Sequence, residues 1–506
     1  MNLIAYDLGT GGVKSSLYDE NLNTLAKSFF EYSTYYTGTG IHEQRPFDWW
    51  EGVKASTKLL LRKTGMSPDS IRCVALSGHS LVTVPIDSNG NVLLEKVPIW
   101  SDTRADKEAD EFFRKIDETE WYLTTGNGFP KACYSIFKLM WLKKHSPDLF
   151  RKIDKVLGSK DYINCMLTGR VYTDYSYASG TGAYNLLKNS LEDRYLAAAG
   201  IPKFIFPEIV PSHTIIGQVT KWAAKETGLA EGTPVACGGV DNACMALGAV
   251  GPEEGRIYTS LGSSSWIPVN SARPVLDPVK KPYVFAHICE GMYTSAFSIF
   301  AGGSSLRWVR ETICRDISEE SSAYRIMDEM AERVPVGSNG LIFNPSLAGG
   351  TSQDKSVNIQ GAFLGLHLGS TREDMIRAAM EGIALNLKMS YECLRQHTRI
   401  SAPILFCGGG SKSKVWMQMF ADVFNVEIIK TNIDQDAASL GAAAIAAKAV
   451  GWWKDYRQIR NLHHIENRSV PNPQNVEKYQ RLFPIFEHAT GVLADFGDFM
   501  EANLLQ

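Results

Sequence analysis

The chain lacks several features that would place it in familiar classes. No apolar run approaches the roughly 18 residues that a membrane-spanning helix requires. There is no basic excess: 52 Lys and Arg face 55 Asp and Glu, a net charge of −3. That gives no footprint for nucleic acid. The nine cysteines are scattered at positions 73, 133, 165, 237, 244, 289, 314, 393 and 407, with no C-x-x-C pair. An odd, dispersed set argues against a disulfide framework. Pairs such as Ala236-Cys237 and Phe406-Cys407 read as buried free thiols of a reducing cytoplasm. No charged leader or cleavage site precedes the first apolar strand, so no secretion signal is expected. Low-complexity segments and charge blocks are absent too. So is the Gly-x4-Gly-Lys-Ser/Thr spacing of a P-loop, and Gly408-Gly409-Gly410 does not open a G-x-G-x-x-G fingerprint.

What is present is a soluble globular composition, 44% apolar and 21% charged, over 506 residues. That length suggests two large domains. A break is expected at Gly251-Pro252-Glu253-Glu254-Gly255, dividing residues 1–250 from 251–506. The first half alternates strand-like and helix-like stretches: strands at Arg72–Ser77, Leu81–Asp87 and Val92–Leu94, helices at Ser135–Lys144 and Asp161–Leu167. The second half repeats the scheme, with a hairpin over 256–269 and a long amphipathic helix near Arg372–Gln396. A strand at Pro403–Cys407, a helix through Val415–Phe424 and a closely packed Ala-rich helix at Ala437–Ala449 follow. The last 55 or so residues read as mixed helical.

One pattern occurs in both halves. Ile4-Ala5-Tyr6-Asp7-Leu8-Gly9-Thr10-Gly11-Gly12-Val13-Lys14 and Arg256-Ile257-Tyr258-Thr259-Ser260-Leu261-Gly262-Ser263-Ser264-Ser265-Trp266 each read as strand, small-residue turn, strand. Small residues let backbone and hydroxyl groups approach a phosphate. Either copy alone is equally an ordinary β-hairpin turn. Asp7, at a strand end beside such a turn, suits a Mg²⁺ ligand, or simply a turn-forming Asp. Lys14 is placed to reach a transferring phosphate, or is a solvated surface lysine. Asp241, after Cys237-Gly238-Gly239-Val240, suits a base for a substrate hydroxyl, or a helix N-cap. Leu405-Phe406-Cys407-Gly408-Gly409-Gly410-Ser411 is a strand and a turn that lets backbone approach a base or a phosphate. His79, Trp100, Asp102 and Arg104 end strand-like runs and offer the polar and aromatic groups that a polyhydroxylated ligand needs. Taken singly, each also reads as a core histidine, a packing indole or an exposed ion pair.

At these residues the chain resembles the FGGY carbohydrate kinases. The resemblance is sharpest at Gly361-Ala362-Phe363-Leu364-Gly365-Leu366, followed after seven residues by Asp374-Met375-Ile376-Arg377-Ala378-Ala379-Met380-Glu381, the family's second signature. The first signature fits Ser135-Ile136-Phe137-Lys138-Leu139-Met140-Trp141-Leu142-Lys143-Lys144-His145, with Cys133 departing at its first position. Lys160-Asp161-Tyr162 and Asp174-Tyr175-Ser176-Tyr177-Ala178-Ser179-Gly180-Thr181 look like further family segments.

The resemblance implies an α/β protein of two actin-like (ribonuclease H-like) domains with the catalytic cleft between them. The first domain would bring the sugar site and the base, the second the ATP site. It implies ATP and Mg²⁺ as cofactors, a small sugar or polyol as substrate, a cytoplasmic location and a homodimer. By position, Asp241 would be the catalytic base and, with Asp7, would place Mg²⁺. Thr10, Gly11, Gly12 and Lys14 would form the first phosphate loop, Gly262 and Ser263 the second. Gly409, Gly410 and Ser411 would lie against the adenosine. His79, Trp100, Asp102, Arg104 and Asn242 would line the sugar pocket with Asp241. The best-fitting substrate is a ketopentose such as xylulose, with gluconate, a hexulose, a tetritol or glycerol as alternatives. A non-catalytic binding protein or an actin-like ATPase on the same fold is the remaining contrast. Ser77-Gly78-His79-Ser80-Leu81-Val82 departs from the Ser-Gly-Gln-Met-His-Gly of xylulokinases, and Ala348-Gly349-Gly350-Thr351 stands in place of their Gly-Glu-Arg-Thr-Pro loop.

Overall fold

A computed structural model of the chain describes residues 1–128, 130–317 and 320–504. Two mixed sheets organise it, and they share one plan. In the first, β1 (Asn2–Gly9), β2 (Gly12–Asp19) and β3 (Thr24–Glu31) form a meander. β4 (Ile71–Gly78) runs parallel to β1, and β6 (Pro234–Ala236) runs parallel to β4. β5 (Ile215–Gln218) closes the edge antiparallel to β6, and the short β7 (Gly239–Val240) continues beside β4. In the second sheet, β8 (Tyr258–Leu261), β9 (Ser265–Ser271) and β11 (Tyr293–Ile299) form the meander, with β10 (Tyr283–Ala286) on its edge. β12 (Ile404–Cys407) and β13 (Ile428–Thr431) add in parallel, and β14 (Ile465–Ser469) closes the far edge antiparallel. The same order in both sheets makes the duplication visible in backbone pairing rather than only in two turns.

Helices pack around both sheets, among them α1 (Pro46–Thr64), α2 (Ser135–His145), α3 (Ser159–Thr168), α4 (Asp241–Val250), α5 (Gly302–Ile313), α6 (Arg372–His397), α7 (Lys414–Phe424), α8 (Ala437–Ala449) and α9 (Pro473–Leu504), and two of these join the halves. α8 belongs to the second half in sequence but packs beneath β1 and β4 of the first. α4 reaches the other way, its Ala246, Ala249 and Val250 clustering with Tyr258, Leu405 and Cys407 of the second sheet. The two helices cross at contact distance: a Cβ on Gly248 would lie 1.8 Å from the Ala437 carbonyl oxygen, and one on Gly441 2.0 Å from that of Cys244. Only hydrogen side chains permit that approach, which explains the Gly and Ala content of both stretches.

α6 begins where the second signature's Asp374 closes a capping box with Thr371. The Thr371 N–H donates to the Asp374 carboxylate at 2.8 Å and the Asp374 N–H to the Thr371 hydroxyl at 3.2 Å. Three residues on, Arg377 donates to Glu381 at 2.8 Å, and the Tyr479 hydroxyl of α9 donates to the same carboxylate at 2.8 Å. The signature therefore builds helix ends and helix packing.

Two expected strands are shorter than the sequence suggests. Over Leu81–Asp87 only Val84–Ile86 pairs as a strand, because Leu81 sits in the left-handed region at φ 61°. Val92–Leu94 contributes a single bridge, Ile86 to Val92. The tail contains, besides helix, the edge strand β14. All nine cysteines are free, most of them buried. Among the described residues, no helix is long and apolar enough to cross a membrane.

Candidate active site

The register of β1 sets the first half of the site. Asp7 stands opposite Lys14 on β2 and opposite Ser77 on β4. The Ser77 hydroxyl donates to the Asp7 carboxylate at 2.8 Å. Burial raises the pKa of Asp7; Lys14 and the Ser77 hydrogen bond oppose that rise. Asp241 opens α4 at its first helical residue, while the N-cap position falls on Val240. Its carboxylate accepts the Asn242 N–H at 2.7 Å, and the Ser80 backbone lies close enough to favour its charged form. Burial, then the negative charge of Asp7, pushes Asp241 up to about 7. A carboxylate poised there takes a proton readily near neutral pH. Beside it, the buried Asn242 side-chain oxygen has no hydrogen-bond partner in the structure.

Asp241 is delivered by a backbone that tolerates no side chain. Gly238 has φ 77°, and a Cβ there would lie 2.2 Å from the Leu76 carbonyl oxygen. Behind it, Val240 N–H donates to the Ser176 hydroxyl at 3.0 Å, which donates to Asp174 at 2.5 Å. Asp174 in turn pairs with the Lys160 ammonium at 3.0 Å, as does Asp161. Burial opposes the charge on Lys160, but the two carboxylates outweigh it and hold the pKa well above the ordinary value. The sequence segments Lys160-Asp161 and Asp174–Thr181 thus support the strand β7 that leads into Asp241.

Two hairpin turns are built from small residues. Gly9 pairs with Gly12, leaving Thr10-Gly11 as a two-residue turn. The Thr10 carbonyl is tied by Gln44 at 2.7 Å and Thr34 at 3.2 Å. Lys14 reaches across to the Gln435 carbonyl at 3.3 Å. In the second sheet, Leu261 pairs with Ser265 around the exposed Gly262, Ser263 and Ser264. The Gly303 and Ser304 N–H groups of α5 donate to the Gly262 and Ser263 carbonyls, both at 2.9 Å, and Arg307 donates to the Ser263 hydroxyl at 3.3 Å. A third turn follows β12. Gly408 N–H donates to Asp434 at 2.5 Å, Gly409 is exposed and Gly410 partly so. The Ser411 hydroxyl is turned inward onto the Gly408 carbonyl at 2.7 Å. Arg307, Asp434 and Asp328, which accepts from Ser413 at 2.9 Å, were not singled out from the sequence. They lie on separate elements and carry no local pattern.

The descriptions of the matching family models are the N-terminal domain of the FGGY family of carbohydrate kinases, over residues 2–248, and its C-terminal domain, over 257–450. The chain belongs to the FGGY family of carbohydrate kinases. It is 30% identical to the xylulose kinase of Bacillus subtilis, across 96% of this chain and 96% of that protein. It is 27% identical to the gluconokinase of the same species, across 97% and 96%. Its fold matches the crystal structure of xylulose kinase from Rhodospirillum rubrum with a TM-score of 0.90 at 28% identity, covering 98% of this chain and 100% of that one. The protein is an ATP-dependent carbohydrate kinase with the two-domain actin-like fold.

The four residues expected around the sugar separate. Trp100 is 42% exposed, and its indole N–H donates to the Thr10 hydroxyl at 3.0 Å, so the ring stands beside the Thr10-Gly11 turn. His79 is 1% exposed. One ring nitrogen meets the Ser159 hydroxyl at 2.9 Å and the other the Gln44 side-chain oxygen at 3.0 Å. Since that Gln44 oxygen also accepts from Trp49 at 2.9 Å, His79 donates through Nε2 and accepts at Nδ1. Burial lowers its pKa to about 3, so it stays neutral. Asp102 is fully buried and paired with Arg104. The Asp102 carboxylate accepts Arg104 at 2.7 Å and the His42 N–H at 2.8 Å, while Arg104 also donates to Glu43 at 2.7 Å. These groups satisfy one another behind the wall that presents Trp100. Lys138 of the first signature works in the same layer. Its buried ammonium donates to the carbonyls of Leu81 at 2.9 Å and Ile99 at 2.6 Å. It therefore ties the turn at Leu81 to the strand end that leads to Trp100.

Proposed function

We propose that this kinase transfers the γ-phosphoryl group of ATP to a hydroxyl of a small sugar, with a ketopentose such as xylulose as the substrate. The observation that carries the reading is Asp241: a carboxylate raised to about 7, held at the head of α4 by the Asn242 N–H, next to the partnerless Asn242 oxygen. A sugar hydroxyl lodged there donates to Asp241, which orients it and takes its proton as the oxygen attacks phosphorus. The phosphorus–oxygen bond to ADP breaks as the new one forms, and ADP leaves with the electron pair. Backbone N–H groups and hydroxyls at Thr10, Gly11 and Gly12, and at Gly262 and Ser263, hold the phosphate oxygens, with Lys14 beside them. Gly409, Gly410 and Ser411 shape the wall for the adenosine, Ser411 by fixing the turn. Catalysis of this kind is mainly positioning and electrostatics.

The donor set suits a divalent hard cation. Asp7 and Asp241 offer carboxylate oxygens within each other's field, and Asp241 carries the cost of that repulsion in its raised pKa. Mg²⁺ would be held by these two residues, directly or through water, and supplies neutralisation of the phosphate charge when bound. In this reading residues 1–250 bring the sugar, the base and Asp7, while residues 251–506 bring the ATP pocket. The protein acts in the cytoplasm as a homodimer.

The xylulose kinases among its relatives support the ketopentose, and the gluconokinase supports gluconate as the second candidate. Retention of both Asp7 and Asp241 speaks against a non-catalytic binding protein. ADP release with Mg²⁺-ATP across pentuloses, hexuloses, aldonates, tetritols and glycerol tests the assignment. Turnover confined to xylulose supports it; turnover confined to gluconate replaces it; sugar-independent hydrolysis alone would overturn the kinase reading of the site.

A further inference from the structure

We propose that Asp277, Cys393 and His397 form a binding site for a zinc-class divalent cation, apart from the catalytic carboxylates. Cys393 and His397 stand four residues apart near the end of α6 and so share one face. Asp277 comes to that face from the segment between β9 and β10. Its Oδ1 accepts the N–H groups of Val279 at 2.8 Å and Lys280 at 3.0 Å, which fixes the carboxylate and turns Oδ2 toward the helix. His397 Nε2 lies 3.1 Å from that oxygen and Cys393 Sγ 3.8 Å from it. All three ligand atoms fall within 4.8 Å of one another, and among the described residues this is the one place where three such groups meet.

The spacing fits a tetrahedral centre. With metal–ligand bonds of about 2.0 to 2.3 Å, neighbouring donors stand roughly 3.4 Å apart. The two separations from Asp277 Oδ2 bracket that value, and Cys393 Sγ and His397 Nε2 lie within 4.8 Å of each other, so a cation enters with side-chain movements on the order of an ångström. The ligand types decide the class: a thiolate and an imidazole favour Zn²⁺ or Co²⁺ over Mg²⁺ or Ca²⁺. Without a cation, burial and then Asp277 push the Cys393 thiol up to about 12, leaving it inert. Binding displaces the thiol proton to solvent and replaces the His397–Asp277 hydrogen bond with two metal bonds. Three protein ligands leave one position for water.

The location gives the site a consequence. The same segment leads to Lys281, which pairs with Glu118 at 2.7 Å, and to Pro282, whose carbonyl accepts the Tyr122 hydroxyl at 3.0 Å. Val284 N–H then donates to the Gly126 carbonyl at 2.8 Å. This strap joins α6 to the first half of the chain, and a cation at Asp277 fastens its far end.

The test adds Co²⁺ to the chelator-stripped full-length kinase. The expected result is one equivalent giving a thiolate-to-cobalt charge-transfer band with the intense visible bands of four-coordination. Cobalt on the carboxylates Asp7 and Asp241 gives no thiolate band. Cys393→Ser should lose the band, and the partly exposed His397→Ala should bind at least about tenfold more weakly while melting normally without metal. Zn²⁺ should displace the cobalt and raise the melting temperature of the wild type but not of Cys393→Ser. A wild type with no thiolate band overturns the proposal. So does a band that persists in Cys393→Ser, or one whose affinity is unchanged in His397→Ala.

Discussion

The indole N–H of Trp100 donates to the hydroxyl of Thr10 at 3.0 Å. This bond couples the aromatic wall proposed for the sugar to the turn proposed for the phosphates. An exposed indole held by one hydrogen bond presents its face in a fixed direction, which suits the C–H face of a sugar. Trp100→Phe keeps the ring and loses the tie; Trp100→Ala loses both. The expected order is a few-fold rise in sugar KM for Phe and about 10- to 100-fold for Ala, equivalent to about 1–3 kcal/mol. The KM for ATP should move little. Steady-state kinetics with both substrates varied checks this, and an equal effect on ATP would place Trp100 elsewhere.

The coupling of Asp7 and Asp241 sets a pH profile. Asp241 must be ionised to accept a proton, and its pKa in the free protein is raised to about 7. The acid limb of kcat/KM for the sugar should therefore lie near neutrality. Part of the rise comes from the negative charge of Asp7, so Asp7→Asn should move the limb of the residual activity to lower pH. A limb that stays put, or moves up, would mean that Asp7 does not act on the base.

His79 supplies a stability test. Its folded-state pKa is lowered to about 3 from an ordinary 6.5, so the unfolded chain binds the proton and the folded chain does not between those values. Stability therefore falls as pH drops below about 6.5, and at pH 5 this group alone costs about 2 kcal/mol relative to neutral pH. His79→Gln loses one of the two ring hydrogen bonds and is less stable at about pH 7.5, but it escapes that penalty. The gap in urea midpoint between variant and wild type should narrow by about pH 5. A constant gap would contradict a neutral, buried His79.

Much of this was legible in the chain. The paired small-residue turns, the Gly-Gly approach to Asp241 and the Ala-rich α8 follow from residue size and spacing, because close backbone contact leaves few residue choices. The signature residues were legible as a resemblance but not as roles. Lys138, Arg377 and Glu381 turn out to tie backbone carbonyls and helices together, which needs partners from distant segments. His79, Asp102 and Arg104 show the limit most clearly. Their residue types suit a sugar ligand, yet Gln44, Ser159, Glu43 and His42 satisfy them first, and no local pattern announces those partners. Leu81 escaped for a related reason: its left-handed backbone is held by Lys138, 57 residues away.

The most direct test of the central claim is ADP release with Mg²⁺-ATP and xylulose by the wild type and Asp241→Asn, alongside ATP binding by both. The side chains are near-isosteric, and only the proton acceptor is removed. The account predicts a loss of about 10²- to 10⁴-fold in kcat with ATP affinity retained. Turnover within a few-fold of the wild type would show that Asp241 is not the base and would contradict the proposed chemistry at its centre.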